Sequence, residues 1–286
     1  MHTPEILTPP LSVDDDGIHP VARKTRSPLL FIVLIFALSV PFWVVGALTN
    51  RQLLPGIPVS ALSLICPVTA AAILVHRAHG WAGVLAFLQR SRDFRRVNAK
   101  IWYLPTMLLM PGIMVLSYLV LRRMGVVLPD PQFSMTTTLL LSVVFFVAAI
   151  GEELGWSGYA IDPLQDRYGA LAGALILGAV WVVWHVIPLL SVPRSPGWIA
   201  WWSLGTVAVR VIITWLYNNT GRSVFVAILF HAMINLTWQL FPGDGAAYDP
   251  RVTSVITALV ACIVVIVYGP RTLVRAHNTR RSDATH

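Results

Sequence analysis

The stretch TTTLLLSVVFFVAAIGEELGWSGY, residues 136–159, decides how the chain is read. It is apolar for long enough to cross a bilayer, then meets two adjacent carboxylates, Glu152 and Glu153. An ionised carboxylate at membrane depth costs roughly 2.5–3.5 kcal/mol, so it ordinarily has a partner or a task there. The pair makes sense only if other polar groups lie at the same depth. The rest of the chain has the composition of a membrane protein: 56% of its 286 residues are hydrophobic, 12% are charged, and the mean hydropathy is +0.69. A soluble domain carries about 25% charged residues.

Composition also excludes several classes. Cys66 and Cys262 both lie inside apolar runs, so neither a disulfide framework nor a CxxC metal site is expected. The net charge of +8 does not point to nucleic acid, because the basic residues sit beside apolar blocks and no nucleic-acid motif is present. Arginine outnumbers lysine 19 to 2, as codon usage in a GC-rich bacterial genome would give.

Residues 1–27 hold four prolines and Asp14-Asp15-Asp16, which predicts a disordered tail. The apolar block at 29–48 is too long for a signal-peptide core, and no small-residue cleavage site follows, so it is expected to stay as a helix. Seven further spans are expected near 59–75, 101–121, 137–153, 169–190, 198–217, 223–240 and 252–269. Eight spans put both termini on one side. The segments facing that side hold 15 Lys and Arg, the opposite loops hold five, and Arg210 falls within a span. The positive-inside rule then makes both termini cytoplasmic in a multi-pass protein of the cell membrane. The segment 80–99 combines apolar Trp81, Val84, Leu85 and Leu88 at helical spacing with Arg90, Arg92, Arg95 and Arg96. That pattern predicts an interfacial amphipathic helix resting on anionic lipid. The fold class is all-α and polytopic: one transmembrane domain over 28–270, with a basic tail over 271–286.

Few polar residues remain at membrane depth: Glu152, Glu153, His185, Arg210, His231 and Asn235. Four different helices supply them, which implies a shared cavity. His231 and Asn235 are four apart, on one helix face. Glu152 and Glu153 point about 100° apart, so one should face the cavity and the other brace it. A carboxylate, imidazoles and an amide are the groups that activate a water and hold an oxyanion. The same Glu and His side chains could instead hold zinc, with metal-bound water as nucleophile. Taken singly, each residue has a plainer reading: a hydrogen-bonded His, an Asn tying two helices, an Arg neutralising a buried Glu.

At these residues the sequence resembles the intramembrane CAAX prenyl protease 2 and bacteriocin-processing (CPBP, abortive-infection) family. The family's Glu-Glu-x-x-x-Arg motif is matched by Glu152 and Glu153. Its aromatic residue separated from a following His by three intervening residues is matched by Trp181 and His185, and its His-x-x-x-Asn by His231 and Asn235. The likeness covers about 80–240. It implies an eight-span protease whose cavity opens to the cytoplasmic side and the lipid. Glu152 and His185 would activate water, and His231 with Asn235 would stabilise the oxyanion. Glu153, Ser157, Trp181 and Arg210 would support them, and a zinc ion, if used, would lie among Glu152, His185 and His231. The motif Arg is Ser157 here. Arg210, or failing that Arg167, is expected to supply the missing charge. The substrate class implied is a peptide or lipidated peptide met among membrane lipids. The rival is a non-catalytic scaffold or immunity protein of the same fold; a proton-coupled transporter is weaker, because no matching repeats appear.

Overall fold

The computed structural model describes residues 26–49, 51–54, 57–190 and 192–275. The expected tail at 1–27 lies outside the described residues except for Arg26 and Ser27, and the basic tail is described only to Arg275. Helix α1 spans Pro28–Thr49 and leads to a short antiparallel pair, β1 (Gln52–Leu54) and β2 (Ile57–Pro58). A 3-10 segment, Val59–Ile65, enters α2 (Cys66–Gln89), with Pro67 in its first turn where a missing N–H costs nothing. Helices α3 (Tyr103–Arg123) and α4 (Met135–Gly155) follow. A π-turn, Trp156–Ala160, then carries α4 on into α5 (Ile161–Tyr168). The remaining helices are α6 (Ala170–Leu189), α7 (Pro196–Asn219), α8 (Val224–Gln239) and α9 (Pro250–Tyr268).

This is an all-α polytopic membrane protein. Among the described residues, seven helices are long and apolar enough to cross a membrane. The segment expected as the span 223–240 forms α8, only 16 residues long. At 1.5 Å per residue it reaches about 24 Å. Val226, Ala227, Ile228 and Phe230 are fully buried, because α8 packs among the other helices and need not match the lipid thickness by itself. The span drawn at 137–153 also ends too early. Its helical path runs unbroken from Met135 to Tyr168, 34 residues, through the π-turn.

Two glycines set the geometry that the site depends on. A Cβ on Gly155 would lie 2.6–2.7 Å from Pro67, side chain and backbone, so only glycine lets α4 approach the head of α2 this closely. Gly169, at φ +84°, turns α5 back into α6 as an antiparallel hairpin. Glu152 lies 17 residues before Gly169 and His185 lies 16 after it. The two arms therefore bring these residues to one height, about 25 Å from the turn.

Both described chain ends lie on one face of the bundle, here called the near face. Arg26 donates to the Gly158 carbonyl at 3.1 Å. The amides of Asn218 and Asn219 donate to the Thr272 and Leu273 carbonyls at 2.8 and 2.7 Å. The expected interfacial helix is in part the second arm of α2, bent at Gly80. Trp81 is 75% exposed and Leu85 60% exposed, whereas Val84 and Phe87 are buried against the bundle. Arg90 is not a surface cation. It is buried and donates to the Gly158 carbonyl at 2.8 Å, and to the Tyr217 hydroxyl and the Arg222 carbonyl at 3.0 Å each. Two arginines, Arg26 and Arg90, thus converge on the Gly158 carbonyl in the π-turn. Replacing Arg90 by Met should lower stability by about 2–4 kcal/mol, since buried acceptors lose a charged donor. Thermal unfolding in detergent reads this; an unchanged midpoint would contradict the role given to Arg90.

Candidate active site

The four helices α4, α6, α7 and α8 bring the polar residues into one layer. Glu153 is fully buried and satisfied from three sides. Arg210 grips it with two parallel bonds, Nη1 to Oε2 and Nη2 to Oε1, both 3.0 Å. His231 Nδ1 lies 2.9 Å from Oε1, and the Ser157 hydroxyl donates to Oε2. A bidentate guanidinium–carboxylate pair fixes both groups in direction as well as distance. The Arg210 guanidinium also stacks 4.2 Å from the Trp181 ring centre, so one of its faces is covered as well as the edge turned to Glu153. Arg167, the other cation considered for Glu153, is exposed on α5 and lies over the Tyr168 ring instead, 5.2 Å from its centre.

Glu152 has a different environment. Its Oε2 accepts from two indoles, Trp181 at 3.0 Å and Trp156 at 3.3 Å. His185 Nε2 stands 3.9 Å from the same oxygen. That is too long for a direct hydrogen bond and suits one water touching both groups. The ring of His185 is oriented by its Nδ1, 2.9 Å from the Trp181 carbonyl, and by the Trp184 and Trp202 rings at 4.6 and 5.7 Å. A carbonyl only accepts, so Nδ1 carries the proton and Nε2 presents its lone pair toward Glu152. The same reasoning applies to His231: its Nδ1–H donates to the Glu153 carboxylate, leaving Nε2 free. Trp156 was not among the residues the motifs single out. Its spacing of four from Glu152 was the available sign, hidden because a Trp in an apolar run reads as packing.

A cavity of about 260 Å³ holds Glu152, His185, His231 and Asn235 in its lining; Glu153 is not part of that lining. On α6 the lining runs from Trp181 out to Leu189, on α8 from His231 out to Trp238, and on α7 from Val209 out to Trp198. Arg194, Tyr248, Ile57 and Pro58 complete it at the outer end. All of this lies on one side of the Glu/His layer, toward the face remote from Arg26 and Arg271. The resemblance places the cavity on the cytoplasmic side, and the charge count places the termini there. Geometry separates the two, because mouth and chain ends lie on opposite faces.

Among the described residues, no group of three or more His, Cys, Asp and Glu side chains is arranged to hold a metal ion. The candidate set Glu152, His185 and His231 is not arranged as such a group, although the Nδ1 contacts of His231 with Glu153 and of His185 with a carbonyl would leave each Nε2 for a ligand. These residues do not fit a zinc centre. Trp181→Phe would keep the ring over Arg210 but remove one donor from Glu152. It should lower kcat about tenfold with little change in folding. Equal kcat in the two proteins would show that the indole N–H does not hold the carboxylate.

An all-α membrane bundle with a carboxylate–histidine layer at the floor of an apolar cavity is the class that fold and site define. Residues 134–237, which include every member of that layer, match the model of the Rce1-like family, described as type II CAAX prenyl endopeptidase Rce1-like. The chain is also 28% identical over 269 residues to "CAAX prenyl protease 2" of Methanococcus maripaludis, covering 88% of this chain and 97% of that relative. Both findings bear out the resemblance carried by the three motifs.

Proposed function

We propose that this protein is an intramembrane endopeptidase that hydrolyses peptide bonds with a water activated between Glu152 and His185. The observation that carries the proposal is the placement of Glu152 Oε2 and His185 Nε2, 3.9 Å apart on the wall of the cavity. A water there gives one proton to the carboxylate or the imidazole as its oxygen attacks the peptide carbonyl carbon. The same group then returns the proton to the leaving amine as the C–N bond breaks. Asn235 on the cavity wall donates an N–H to the developing oxyanion. His231 joins it only as imidazolium, because its Nδ1–H is committed to Glu153 and the neutral ring offers Nε2 as an acceptor. Glu153, Arg210 and Ser157 hold His231 in place and take no part in proton transfer. No step is routed through a metal, because the donor set is not arranged as a metal-binding group.

The substrate is a peptide or a lipidated peptide lying against the bilayer. The apolar lining, with Met110, Met114, Trp181 and Trp202, suits bulky apolar side chains or an acyl or prenyl chain. The CAAX specificity in the relative's name is one member of that class. Ser157 was the main ground for a non-catalytic reading. The guanidinium on Glu153 weakens it, since the charge the motif Arg would bring is supplied by Arg210. The test is a panel of quenched fluorescent peptides, lipidated and plain, offered to detergent-solubilised protein with and without chelator. The expected result is cleavage that chelator leaves unchanged. No cleavage of any member by folded protein would count against the proposal.

A further inference from the structure

Five Ser and Thr residues line the cavity, and they fall into two groups. Thr206, Thr253 and Thr257 each donate to the carbonyl four residues back, at 2.9, 3.3 and 2.7 Å. Ser117, Ser142 and Ser203 do the same elsewhere in the bundle. A hydroxyl in an apolar helix ordinarily satisfies itself in this way. Ser254 on α9 and Ser63 on the 3-10 segment do not. Both are buried in the cavity lining, and among the described residues neither Oγ has a hydrogen-bond partner. The Oγ of Ser254 lies against Gly205 of α7, where an added Cβ would come within 2.4 Å of it. Gly205 is itself in the lining, between Trp202, whose ring centre is 5.7 Å from that of His185, and Arg210 of the polar layer. Along α7 the unpaired hydroxyl is therefore level with a point about 7.5 Å from Arg210.

We propose that Ser254 is a substrate-binding residue whose hydroxyl donates to a backbone carbonyl of the bound peptide beside the scissile bond. The peptide as ligand rests on the peptidase reading above; the unpaired hydroxyl does not. A peptide entering an apolar cavity loses water from every backbone carbonyl, and each one left without a donor weakens binding. Asn235 serves only the reacting carbonyl, so the neighbouring ones need another donor. Ser254 offers one, placed on the wall next to the layer and bound to no carbonyl of its own helix. The arrangement has a consequence of opposite sign for the free protein. An unpaired buried hydroxyl destabilises the fold, so removing it should leave the free protein at least as stable while weakening its hold on the peptide.

The experiment measures binding apart from cleavage, using the full chain in detergent with Glu152→Gln as background. The probes are a prenylated peptide carrying one fluorophore and its plain counterpart, followed by fluorescence anisotropy. Adding Ser254→Ala should raise the Kd about 3- to 10-fold, the loss of one neutral hydrogen bond, with the thermal midpoint unchanged or raised. Gly205→Ala keeps the hydroxyl but drives it from its position, and should raise the Kd by a similar factor. The two changes together should weaken binding no more than either alone, because they remove the same contact. An unchanged Kd in Ser254→Ala, or a weaker one accompanied by a lowered midpoint, would overturn the inference. Folded protein that binds neither peptide would overturn it as well. Binding weakened by Ser254→Ala, with no peptide of the panel cleaved by the wild type, would leave the role of Ser254 standing and count against the peptidase reading instead.

Discussion

Arg210→Met should abolish activity and destabilise the protein by about 3–5 kcal/mol, the usual cost of leaving one member of a buried ion pair uncompensated. Glu153 would keep Ser157 and His231 as partners but lose both guanidinium bonds. Its charge would then fall on His231 alone, and the ring would lose its fixed position. The informative variant is the swap. An Arg at 157 lies one helical turn beyond Glu153, where the Ser157 hydroxyl already reaches the carboxylate. Ser157→Arg alone should be destabilising, because it crowds a second guanidinium into a fully buried site. Combined with Arg210→Met, it should recover much of the lost stability and activity. The two substitutions should therefore be strongly non-additive, which a double-mutant cycle on thermal unfolding and kcat/KM measures directly. Simple additivity would show that Arg210 is not standing in for the motif arginine.

The other large effect is on chemistry. Glu152→Gln keeps the shape and the two indole contacts in outline but removes the basic oxygen, and should lower kcat by about 10³-fold. His185→Ala should cost a similar factor. If the two act on one water, the double variant should be hardly worse than either single one, because groups that work as a unit are lost together. Factors that multiply would mean that the two residues serve separate steps. Glu153→Gln should behave differently from Glu152→Gln, losing stability along with activity, because its partners are structural.

Much of this was legible in the sequence, and the rest was hidden for definite reasons. Long apolar blocks marked the spans, and residues that are costly in lipid marked the layer: Glu152, Glu153, His185, Arg210, His231 and Asn235 all meet in one place. The tryptophans around them were less visible, since Trp156 or Trp184 in an apolar run looks like packing until an indole N–H is seen to reach a carboxylate or a hydroxyl. The extension of α4 through the π-turn to Tyr168 was obscured by Asp162, Asp166 and Arg167, which resemble a loop. In the fold Asp162 is buried, with Tyr217, Arg222 and Gln165 around it. Arg90 was masked by its neighbours, because one buried guanidinium in a run of four arginines has no local signature. The clash between the two expectations of sidedness could not be seen from the chain alone. It required knowing that the cavity lining uses only the outer halves of α6, α7 and α8.

The central claim is that Glu152 activates the hydrolytic water. The most direct test is cleavage of one peptide from the panel in ¹⁸O-water, by purified wild type and by Glu152→Gln matched for thermal midpoint. The account predicts a single new carboxyl terminus carrying ¹⁸O from the wild type and no detectable product from the variant. Product formed by Glu152→Gln at the wild-type rate would contradict it.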